Sequence, residues 1–438
     1  MTKPVCVGLI GLGTVGGGVA KILLEKESLI AERAGIPVVL KRIVDKYPDR
    51  VKLQVPKGLL STDINDIFND KDISIVIELM GGHEPARTFI LQAIERGKHV
   101  VTANKALLAV HGKEIFTAAG RKGVDVGFEA SVGGGIPVIR AVREGLVGDR
   151  IESILGIMNG TSNYILSKMT DEGRHFGEVL KEAQAQGYAE ADPTYDIEGI
   201  DTAHKLAIIS TLAYGCFVRL EDIFTEGISK IEPIDIGFAR ELGYRIKLLA
   251  ISRCDGQSVE ARIHPTMIPS SHLLASVNGV YNAFYLHGDA VGQVLLYGFG
   301  AGMMPTGSAV VSDVVDIARN VAKGTTQRVP PLSTPIDKMR VLSIKPMDDL
   351  VCRYYMRFSA VDSPGVLSKI SGILGSNGIS IESVIQKGRD TKDSVPVVMM
   401  THEAREKDVR QAVEQIDRLD IVTAKTMFIR IENRLQTE

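Results

Sequence analysis

A short apolar run followed at once by a glycine-rich turn is the feature that most constrains the fold of this chain. Residues Val5 to Ile10 read VCVGLI, and Gly11-Leu12-Gly13-Thr14-Val15-Gly16 follows directly, ahead of a helical pattern that runs towards Ala34. Gly11 permits a tight turn, Gly13 lets backbone N–H groups approach a pyrophosphate, and Gly16 lets the helix pack closely on the strand. The order strand, glycine turn, helix predicts a dinucleotide site.

The residues after the second predicted strand bear on which dinucleotide is bound. That strand, Val38 to Val44, ends at Asp45, where a carboxylate is placed to hydrogen-bond an adenosine ribose. Lys46 follows directly and Arg50 lies nearby, so a 2′-phosphate also has cationic partners. The residues therefore leave NAD and NADP both open.

Strands and helices continue to alternate, which predicts a parallel, doubly wound α/β sheet of the Rossmann type. Ligands bind beyond the carboxyl ends of such strands, so the loops that follow them are candidate site loops. The predicted elements are strands at Ile73–Leu79, His99–Thr102 and Val124–Glu129, with helices at about Pro85–Arg96 and Lys105–Gly120. The loops are Met80 to Pro85, Thr102 to Lys105, and Glu129 to Pro137.

A carboxylate and a lysine are spaced for acid–base chemistry later in the chain. Asp201 and Lys205 stand four residues apart on a predicted helix, so both side chains share one face. A surface ion pair has the same spacing. The apolar run after Lys205 predicts a buried helix instead, and Glu190 adds a carboxylate upstream on a glycine–proline turn. Burial lowers the pKa of a lysine and a neighbouring aspartate raises it, so the direction for Lys205 stays open.

The glycine-rich stretch from Val132 to Ile136 has two interpretations. It reverses the chain as it leaves the first domain, or its exposed carbonyl oxygens, with the Glu129 carboxylate, bind a hard cation such as an alkali or alkaline-earth ion.

The rest of the chain divides into a second domain, a linker and a small C-terminal domain. The second has predicted strands at Ile151–Met158, Val259–Pro265, Ala283–His287 and Val291–Tyr297, and the loop Asn159 to Asn163. A glycine turn from Gly298 leads into a helix at about Ser308–Ala322 that returns to the first domain. The last domain has the ferredoxin-like order βαββαβ. The predicted boundaries are 1–136 with the helix at about 308–324, 137–307, the linker 325–349, and 350–438.

Composition excludes several classes of function. The net charge is −2 and no basic stripe is present, so no nucleic-acid partner is expected. Apolar runs are broken before they could span a bilayer, and the N-terminus has no cleavable signal pattern, so we expect a cytoplasmic protein without a membrane partner. The four cysteines are scattered without metal-ligand spacing and are expected to act as small apolar residues.

Five motifs in order carry a resemblance that covers the whole chain. They are GLGTVG, TANKALLA, EASVGGGIPVI, GIMNGTSNYIL and GYAEADPTYDIEGIDTAHKLAI. Together they resemble homoserine dehydrogenase, in the long form with a C-terminal ACT domain. The resemblance implies reversible hydride transfer between NAD(P)H and L-aspartate 4-semialdehyde, giving L-homoserine for threonine, methionine and isoleucine biosynthesis.

The resemblance also implies roles for residues. Lys205 matches the proposed proton donor, Lys105 matches a second active-site lysine, and Glu190 and Asp201 match positions that hold the amino end of the substrate. Backbone groups from Asn159 through Gly160 to Thr161 are expected to complete the pocket. A sodium or potassium site matches Glu129, Val132, Gly134 and Ile136. The predicted cofactor-binding set is Gly11, Leu12, Gly13, Thr14, Val15, Gly16, Asp45, Lys46, Thr102, Lys105, Gly187 and Gly302.

The ACT resemblance points to an amino-acid effector. Asp362, Gly365, Asn377 and Ile379 match positions that commonly line such sites. Threonine is the natural effector to expect, and a purely assembling role for the domain is the alternative. Because such domains usually pair across subunits, a homodimer or homotetramer is expected.

The residue at position 45 bears on the cofactor preference, and two rival functions make different demands on the sequence. Many relatives carry a basic residue where this chain has Asp45, so we expect use of both cofactors with NADH competitive. Aldehyde oxidation through a thioester, as in aspartate-semialdehyde dehydrogenase, requires an activated cysteine, which neither Cys6 nor Cys216 resembles. A nucleotide-binding amino-acid sensor requires no lysine chemistry. The sequence leaves open the effector, the preferred cofactor, the oligomer size, the alkali ion and which lysine carries the proton.

Overall fold

The amino-terminal part of the chain forms a six-stranded parallel sheet. The computed structural model describes residues 3–47, 55–56, 58–386 and 394–432. The elements here are β1 (Val5–Ile10), α1 (Thr14–Glu25), α2 (Glu27–Ala34), β2 (Val38–Val44), β3 (Leu60–Ser61), α3 (Asn65–Phe68), β4 (Ile73–Glu78), α4 (Ala86–Glu95), β5 (His99–Thr102), α5 (Lys105–Lys122) and β6 (Val126–Gly127). The strand order is β3-β2-β1-β4-β5-β6, with all pairs parallel. The residues of β1 and β5 are all buried, as expected when helices cover both faces of a sheet.

The middle of the chain forms a second, mostly antiparallel layer. Its elements are α6 (Val138–Arg140), β7 (Ile151–Ile157), α7 (Gly160–Glu172), α8 (Phe176–Ala185), α9 (Thr194–Ile197), α10 (Ile200–Tyr214), β8 (Phe224–Thr225), α11 (Pro233–Glu241), β9 (Tyr244–Cys254), β10 (Ser258–Pro269), β11 (Tyr281–Gly288), β12 (Gly292–Phe299) and α12 (Met303–Ala322). Helix α12 returns to the first sheet and packs on α1. A Cβ on Gly18 would lie only 2.2 Å from the Met303 carbonyl oxygen, so glycine is required at this crossing.

The C-terminal elements continue this second sheet. They are β13 (Ser343–Ile344), β14 (Val351–Ala360), α13 (Val366–Ser376), β15 (Ile381–Gln386), β16 (Val395–Thr401), β17 (Ala404–Arg405), α14 (Glu406–Ile416) and β18 (Val422–Ile431). The main path through the sheet is β12-β11-β7-β9-β10-β18-β14-β16-β15. Strand β18 pairs in parallel with β10, at Thr266 with Arg430 and Met267 with Ile431. The backbone hydrogen bonding therefore runs from the C-terminal domain into the middle domain.

The predicted fold class is confirmed, since the chain has a parallel Rossmann-type sheet, a mixed second sheet and a βαββαβ unit. Several local predictions differ from the structure. The helix predicted to run to Ala34 breaks at Lys26, and strand Val124–Glu129 shrinks to two residues because Glu129–Ser131 coils into a 3₁₀ turn. Helix α12 starts at Met303, since Pro305 is tolerated in a first helical turn. Strand β9 was not predicted.

The segment expected to be only a linker is attached to the second layer. Strand β13 pairs with β10, and Arg340 donates hydrogen bonds to the carbonyl oxygens of Gly215 and Tyr214 at 2.8 Å each. Among the described residues, no helix is long and apolar enough to cross a membrane.

Candidate active site

Asp201 and Lys205 form the centre of a buried polar cluster on α10. The helix starts after Gly199, whose φ of 81° suits glycine, and its apolar residues bury almost the whole helix. Lys205 Nζ lies 2.7 Å from Asp201 Oδ2 and donates a second hydrogen bond to the Met158 carbonyl oxygen at 2.6 Å. Asp201 is 6% exposed and Lys205 is 7% exposed, so this is not a solvated surface pair.

A second lysine reaches the same carboxylate from the parallel sheet. Lys105 is the first residue of α5, where Asn104 caps the helix by accepting a hydrogen bond from the Leu107 N–H. Its Nζ lies 3.2 Å from Asp201 Oδ1. Burial raises the pKa of Asp201, but the ammonium groups of Lys205 and Lys105 outweigh that effect and hold the pKa below its usual range. Asp201 is therefore an anion that joins two domains.

Asn159 and Asp196 complete the cluster. Asn159 Nδ2 donates to Asp196 Oδ1 at 2.7 Å and to Asp201 Oδ2 at 3.0 Å, while its Oδ1 accepts from the Ser162 N–H and caps α7. Burial raises the pKa of Asp196. Asp196 was not predicted as a site residue, although it lies in the same acidic stretch as Asp201. What singles it out is the bridge from Asn159, which no spacing along the chain reveals.

The other predicted substrate residues lie on α7 and on the turn before α9. Gly160 begins α7 and packs on the Val280 carbonyl oxygen, which would lie 2.7 Å from an added Cβ. Thr161 Oγ1 donates to the Tyr188 carbonyl oxygen at 2.6 Å. The Glu190 side chain is exposed, and among the described residues no hydrogen bond or ion pair links it to Asp201.

The glycine turn after β1 has the form that a dinucleotide requires. Gly11 has φ 92°, and a Cβ there would lie 2.8 Å from the Leu79 carbonyl oxygen. A Cβ on Gly16 would lie 2.0 Å from the Gly11 carbonyl oxygen, whereas one on Gly13 would meet no atom of the described residues within 4 Å. In this part of the structure Gly13 precedes α1 without a side-chain cap, so the N–H groups around Thr14 and Val15 suit a pyrophosphate.

Asp45 is already hydrogen-bonded to the glycine turn. Its Oδ2 accepts from the Leu12 N–H at 2.6 Å and its Oδ1 accepts from the Tyr47 N–H at 2.8 Å. The Lys46 ammonium lies 5.4 Å from the centre of the Tyr47 ring. Arg50 lies outside the described residues.

Three further residues were predicted to bind the cofactor, and they are far apart in the chain: Thr102, Gly302 and Gly187. Thr102 Oγ1 donates to Glu78 Oε2 at 2.7 Å at the end of β5. Gly302 has φ 123° and directly precedes α12. Gly187, with φ 76°, is exposed in the turn before Glu190.

In the predicted cation loop, the Glu129 carboxylate is engaged by backbone N–H groups. Glu129 Oε1 and Oε2 each accept a backbone N–H, from Ile139 and Arg140 at 2.8 Å, so the carboxylate caps α6. Burial, with Asp313 nearby, raises the pKa of Glu129 to about 7. Gly134 turns the loop with φ 58°, and Val132 and Ile136 are buried. Among the described residues, no three His, Cys, Asp or Glu side chains form a metal-binding group.

The predicted effector residues lie around α13. Gly365, with φ 90°, precedes the helix, and Asn377 ends it and donates to the Ile373 carbonyl oxygen at 2.8 Å. Ile379 is buried, and Asp362 lies on the turn after β14.

The cysteines do not have the features of an activated nucleophile. Burial raises the pKa of Cys6, which lies in β1, and raises the pKa of Cys216 to about 11. A thioester mechanism needs the opposite shift, since the thiolate is the nucleophile.

A Rossmann sheet with an open glycine turn, together with a buried aspartate that two lysines share, indicates the class of NAD(P)-dependent oxidoreductases. Three family models match the chain: "Homoserine dehydrogenase, NAD binding domain" over residues 11–129, "Homoserine dehydrogenase" over 137–315, and "ACT domain" over 354–420. The chain belongs to the homoserine dehydrogenase family, with a C-terminal ACT domain.

Individual homoserine dehydrogenases match this chain over almost its full length. The chain is 47% identical to homoserine dehydrogenase of Neisseria gonorrhoeae over 431 residues, covering 98% of this chain and 99% of that protein. It is 48% identical to homoserine dehydrogenase of Pseudomonas aeruginosa over the same coverage. The crystal structure of a homoserine dehydrogenase from Thiobacillus denitrificans superposes with a TM-score of 0.93 at 49% identity, covering 99% of both chains.

Proposed function

We propose that this homoserine dehydrogenase interconverts L-aspartate 4-semialdehyde and L-homoserine on the route to threonine, methionine and isoleucine, with Lys205 as the proton donor. The observation that carries the proposal is the contact of Asp201 with Lys205 on one side and Lys105 on the other. It places two ammonium groups where the parallel sheet meets the second domain.

The hydrogen bonds of Lys205 suit it to protonate an alkoxide. When bound, the reduced nicotinamide supplies the hydride that converts the aldehyde carbon to an alcohol. An ammonium has three N–H donors, and Lys205 gives two of them to Met158 and Asp201. The third is left for the substrate oxygen, whose growing negative charge it stabilises and then protonates. Lys105 is the second cation beside the same carboxylate.

The carboxylates of the site suit the ammonium end of the substrate. Asp201 and Asp196 are held at fixed positions by Asn159, and Glu190 lies on the adjoining turn. Gln184 donates hydrogen bonds to the carbonyl oxygens of Glu190 and Ala191 at 3.1 and 3.3 Å, which support that turn. Charge-assisted hydrogen bonds from the ammonium to these groups would orient the reacting carbon.

We propose that both NADPH and NADH are used, with NADH competitive. Asp45 is oriented by two backbone N–H groups towards the turn where an adenosine ribose is expected. A carboxylate there favours a free 2′-hydroxyl and disfavours a 2′-phosphate, which Lys46 offsets in part.

A sodium or potassium ion is proposed at the loop after β6. The carbonyl oxygens of Glu129, Val132, Gly134 and Ile136 would hold it, since the Glu129 carboxylate is already occupied by two N–H groups. A bound ion would fix the loop that leads from the first sheet into the second.

Threonine is proposed as an inhibitor that binds at the ACT domain, around Asp362, Gly365, Asn377 and Ile379. The enzyme is proposed to be a homodimer or homotetramer. The cytoplasm is the proposed location, which the free thiols of all four cysteines suit.

The deciding experiment mixes the protein with aspartate semialdehyde, sodium or potassium, and NADPH or NADH, and follows nicotinamide absorbance with and without threonine. Oxidation that threonine suppresses supports the reaction and the regulation together, and the two cofactor rates report on Asp45. Lys205→Ala should lower turnover by about 1,000-fold or more. The matched control is Lys122→Ala, which removes a surface lysine that pairs with Glu95. Cofactor binding without oxidation in the folded wild type would favour the sensor.

A further inference from the structure

A tyrosine and a histidine form a pair at the edge of the lysine and aspartate cluster. Tyr195 lies on α9 and His204 on α10, and the phenol oxygen is hydrogen-bonded to His204 Nδ1. The two rings lie 5.5 Å apart at an angle of 36°. Among the described residues, the imidazole makes no other hydrogen bond, so Nε2 is left without a protein partner.

The contact with Tyr195 sets the tautomer of the imidazole. Burial raises the pKa of Tyr195 to about 12, so the phenol keeps its proton at neutral pH. Burial likewise lowers the pKa of His204 to about 4, so the ring is uncharged. A neutral imidazole carries one N–H, so when the phenol donates to Nδ1 the ring proton is on Nε2. In that tautomer, Nε2–H is a donor with a fixed direction.

This donor lies beside the charged groups of the site. His204 is three residues after Asp201 on α10, so the two side chains share a face. Asp201 favours protonation of His204, and Lys105, His83 and Lys205 disfavour it. The acids that suit the ammonium of the substrate are Asp201, Asp196 and Glu190. The α-carboxylate of the substrate needs a donor or a cation instead.

We propose that His204, held in its Nε2–H form by Tyr195, binds the α-carboxylate of the substrate and thereby selects α-amino acids. The proposal rests on the proposed function, since it concerns the same pocket. The His204 imidazole is uncharged and lies beside two lysines. It therefore adds a directional hydrogen bond to the carboxylate, and it adds no further positive charge for Asp201 to balance.

The test compares two inhibitors that differ only in the carboxylate, L-2-aminobutyrate and n-propylamine. Both lack the hydroxyl group, so neither is turned over, and each inhibition constant is measured against aspartate semialdehyde. In His204→Leu, the preference for 2-aminobutyrate over propylamine should fall by about 10-fold to 100-fold. Gln places an amide N–H near the position of Nε2, so His204→Gln should recover part of the preference. Tyr195→Phe, which frees the tautomer, should lower it by about threefold.

Two controls separate this proposal from a structural role and from the proposed function. NADPH affinity by fluorescence titration and the melting temperature identify a variant that has lost its fold or cofactor site. An unchanged inhibitor preference in a folded His204→Leu protein would overturn the proposal, even if turnover fell. Failure of the proposed function would appear earlier, as a wild-type protein that does not oxidise NADPH with the semialdehyde.

Discussion

Asp201 shows how one buried carboxylate determines the electrostatics of the site. An isolated buried lysine is costly, because desolvation disfavours its charged form. Here Lys205 lies within 2.7 Å of an anion and Lys105 within 3.2 Å of the same anion. Asp201 in turn depends on them, because burial alone would protonate it.

At the residue scale, Asp201→Asn should lower both activity and stability. Lys205 would lose its buried counter-ion, so we expect a loss of about 3 kcal/mol in the free energy of unfolding at pH 7. Turnover should fall on the order of 100-fold, because the amide no longer positions either ammonium. Urea unfolding and steady-state kinetics measure the two effects, and Asp171→Asn on the surface of α7 is the matched control. Unchanged kinetics would contradict the role of Asp201.

The same residue gives a pH dependence with a definite sign. The pKa of Asp201 is lower in the folded protein than in the unfolded chain, where it is about 4. Its stabilising contribution is therefore present above about pH 4 and is lost as the pH falls through the folded value. The stability difference between wild type and Asp201→Asn should shrink as the pH is lowered below 4. A difference that stays constant down to acid unfolding would refute this linkage.

At the scale of elements, two glycines of the β1–α1 unit have different roles. Gly16 is required for the packing of helix on strand, and Gly13 is expected to be required for cofactor binding. Gly16 faces the Gly11 carbonyl oxygen, so any side chain there pushes helix from strand. Gly13 has φ −70° and open space beside it, so alanine fits the fold. The space is where backbone and pyrophosphate are expected to meet.

Gly13→Ala and Gly16→Ala should therefore fail in different ways. Gly13→Ala should keep its melting temperature and weaken NADPH binding by about tenfold, or about 1.4 kcal/mol. Gly16→Ala should lose about 3 kcal/mol of stability through overpacking. Fluorescence titration with NADPH and thermal unfolding distinguish the two results. Normal NADPH affinity in Gly13→Ala would place the pyrophosphate elsewhere.

At the scale of the whole molecule, buried charges join the C-terminal domain to the rest of the chain. Arg430 of β18 is 2% exposed; its Nε lies 2.9 Å from Glu406 Oε2 and its Nη1 lies 2.8 Å from Glu226 Oε2. Tyr355 and Arg357 of β14 contact Asp235 of α11 at 3.0 and 2.7 Å. Together with the pairing of β10 and β18, these contacts attach the C-terminal domain to the middle domain.

Arg430→Met should consequently destabilise the protein by about 3 kcal/mol, since the buried Glu406 would lose its buried guanidinium partner and keep the more exposed Arg410. The double variant Arg430→Met with Glu406→Gln should recover part of that loss, because the unpaired charge is also removed. Calorimetry on the full-length protein provides the measurement. A double variant less stable than Arg430→Met would contradict this account, because it would show that the contacts of Glu406 with Tyr354 and Arg410 outweigh the cost of its unpaired charge.

The sequence predicted the fold and the site to different extents. Strands β1, β2 and β5 were predicted with their observed ends, because buried strands read as short apolar runs bounded by turn residues. Strand β9 was missed because it begins with alternating charges, although Gly243 precedes it and an Asp255-Gly256 turn follows it. Asp201 and Lys205 were predicted as a pair because helical spacing alone brings them together.

By itself the sequence determined the Rossmann unit, the βαββαβ unit and the shared face of Asp201 and Lys205, because these depend on local periodicity and on glycine conformation. Only the tertiary structure decided that Lys105 contacts Asp201 and that Asn159 bridges to Asp196. It also decided that the Glu129 carboxylate accepts backbone N–H groups at a helix end. It also decided that the C-terminal domain extends the second sheet through β18. Each of these contacts joins residues distant in the chain, and their pairing depends on packing that no local pattern encodes.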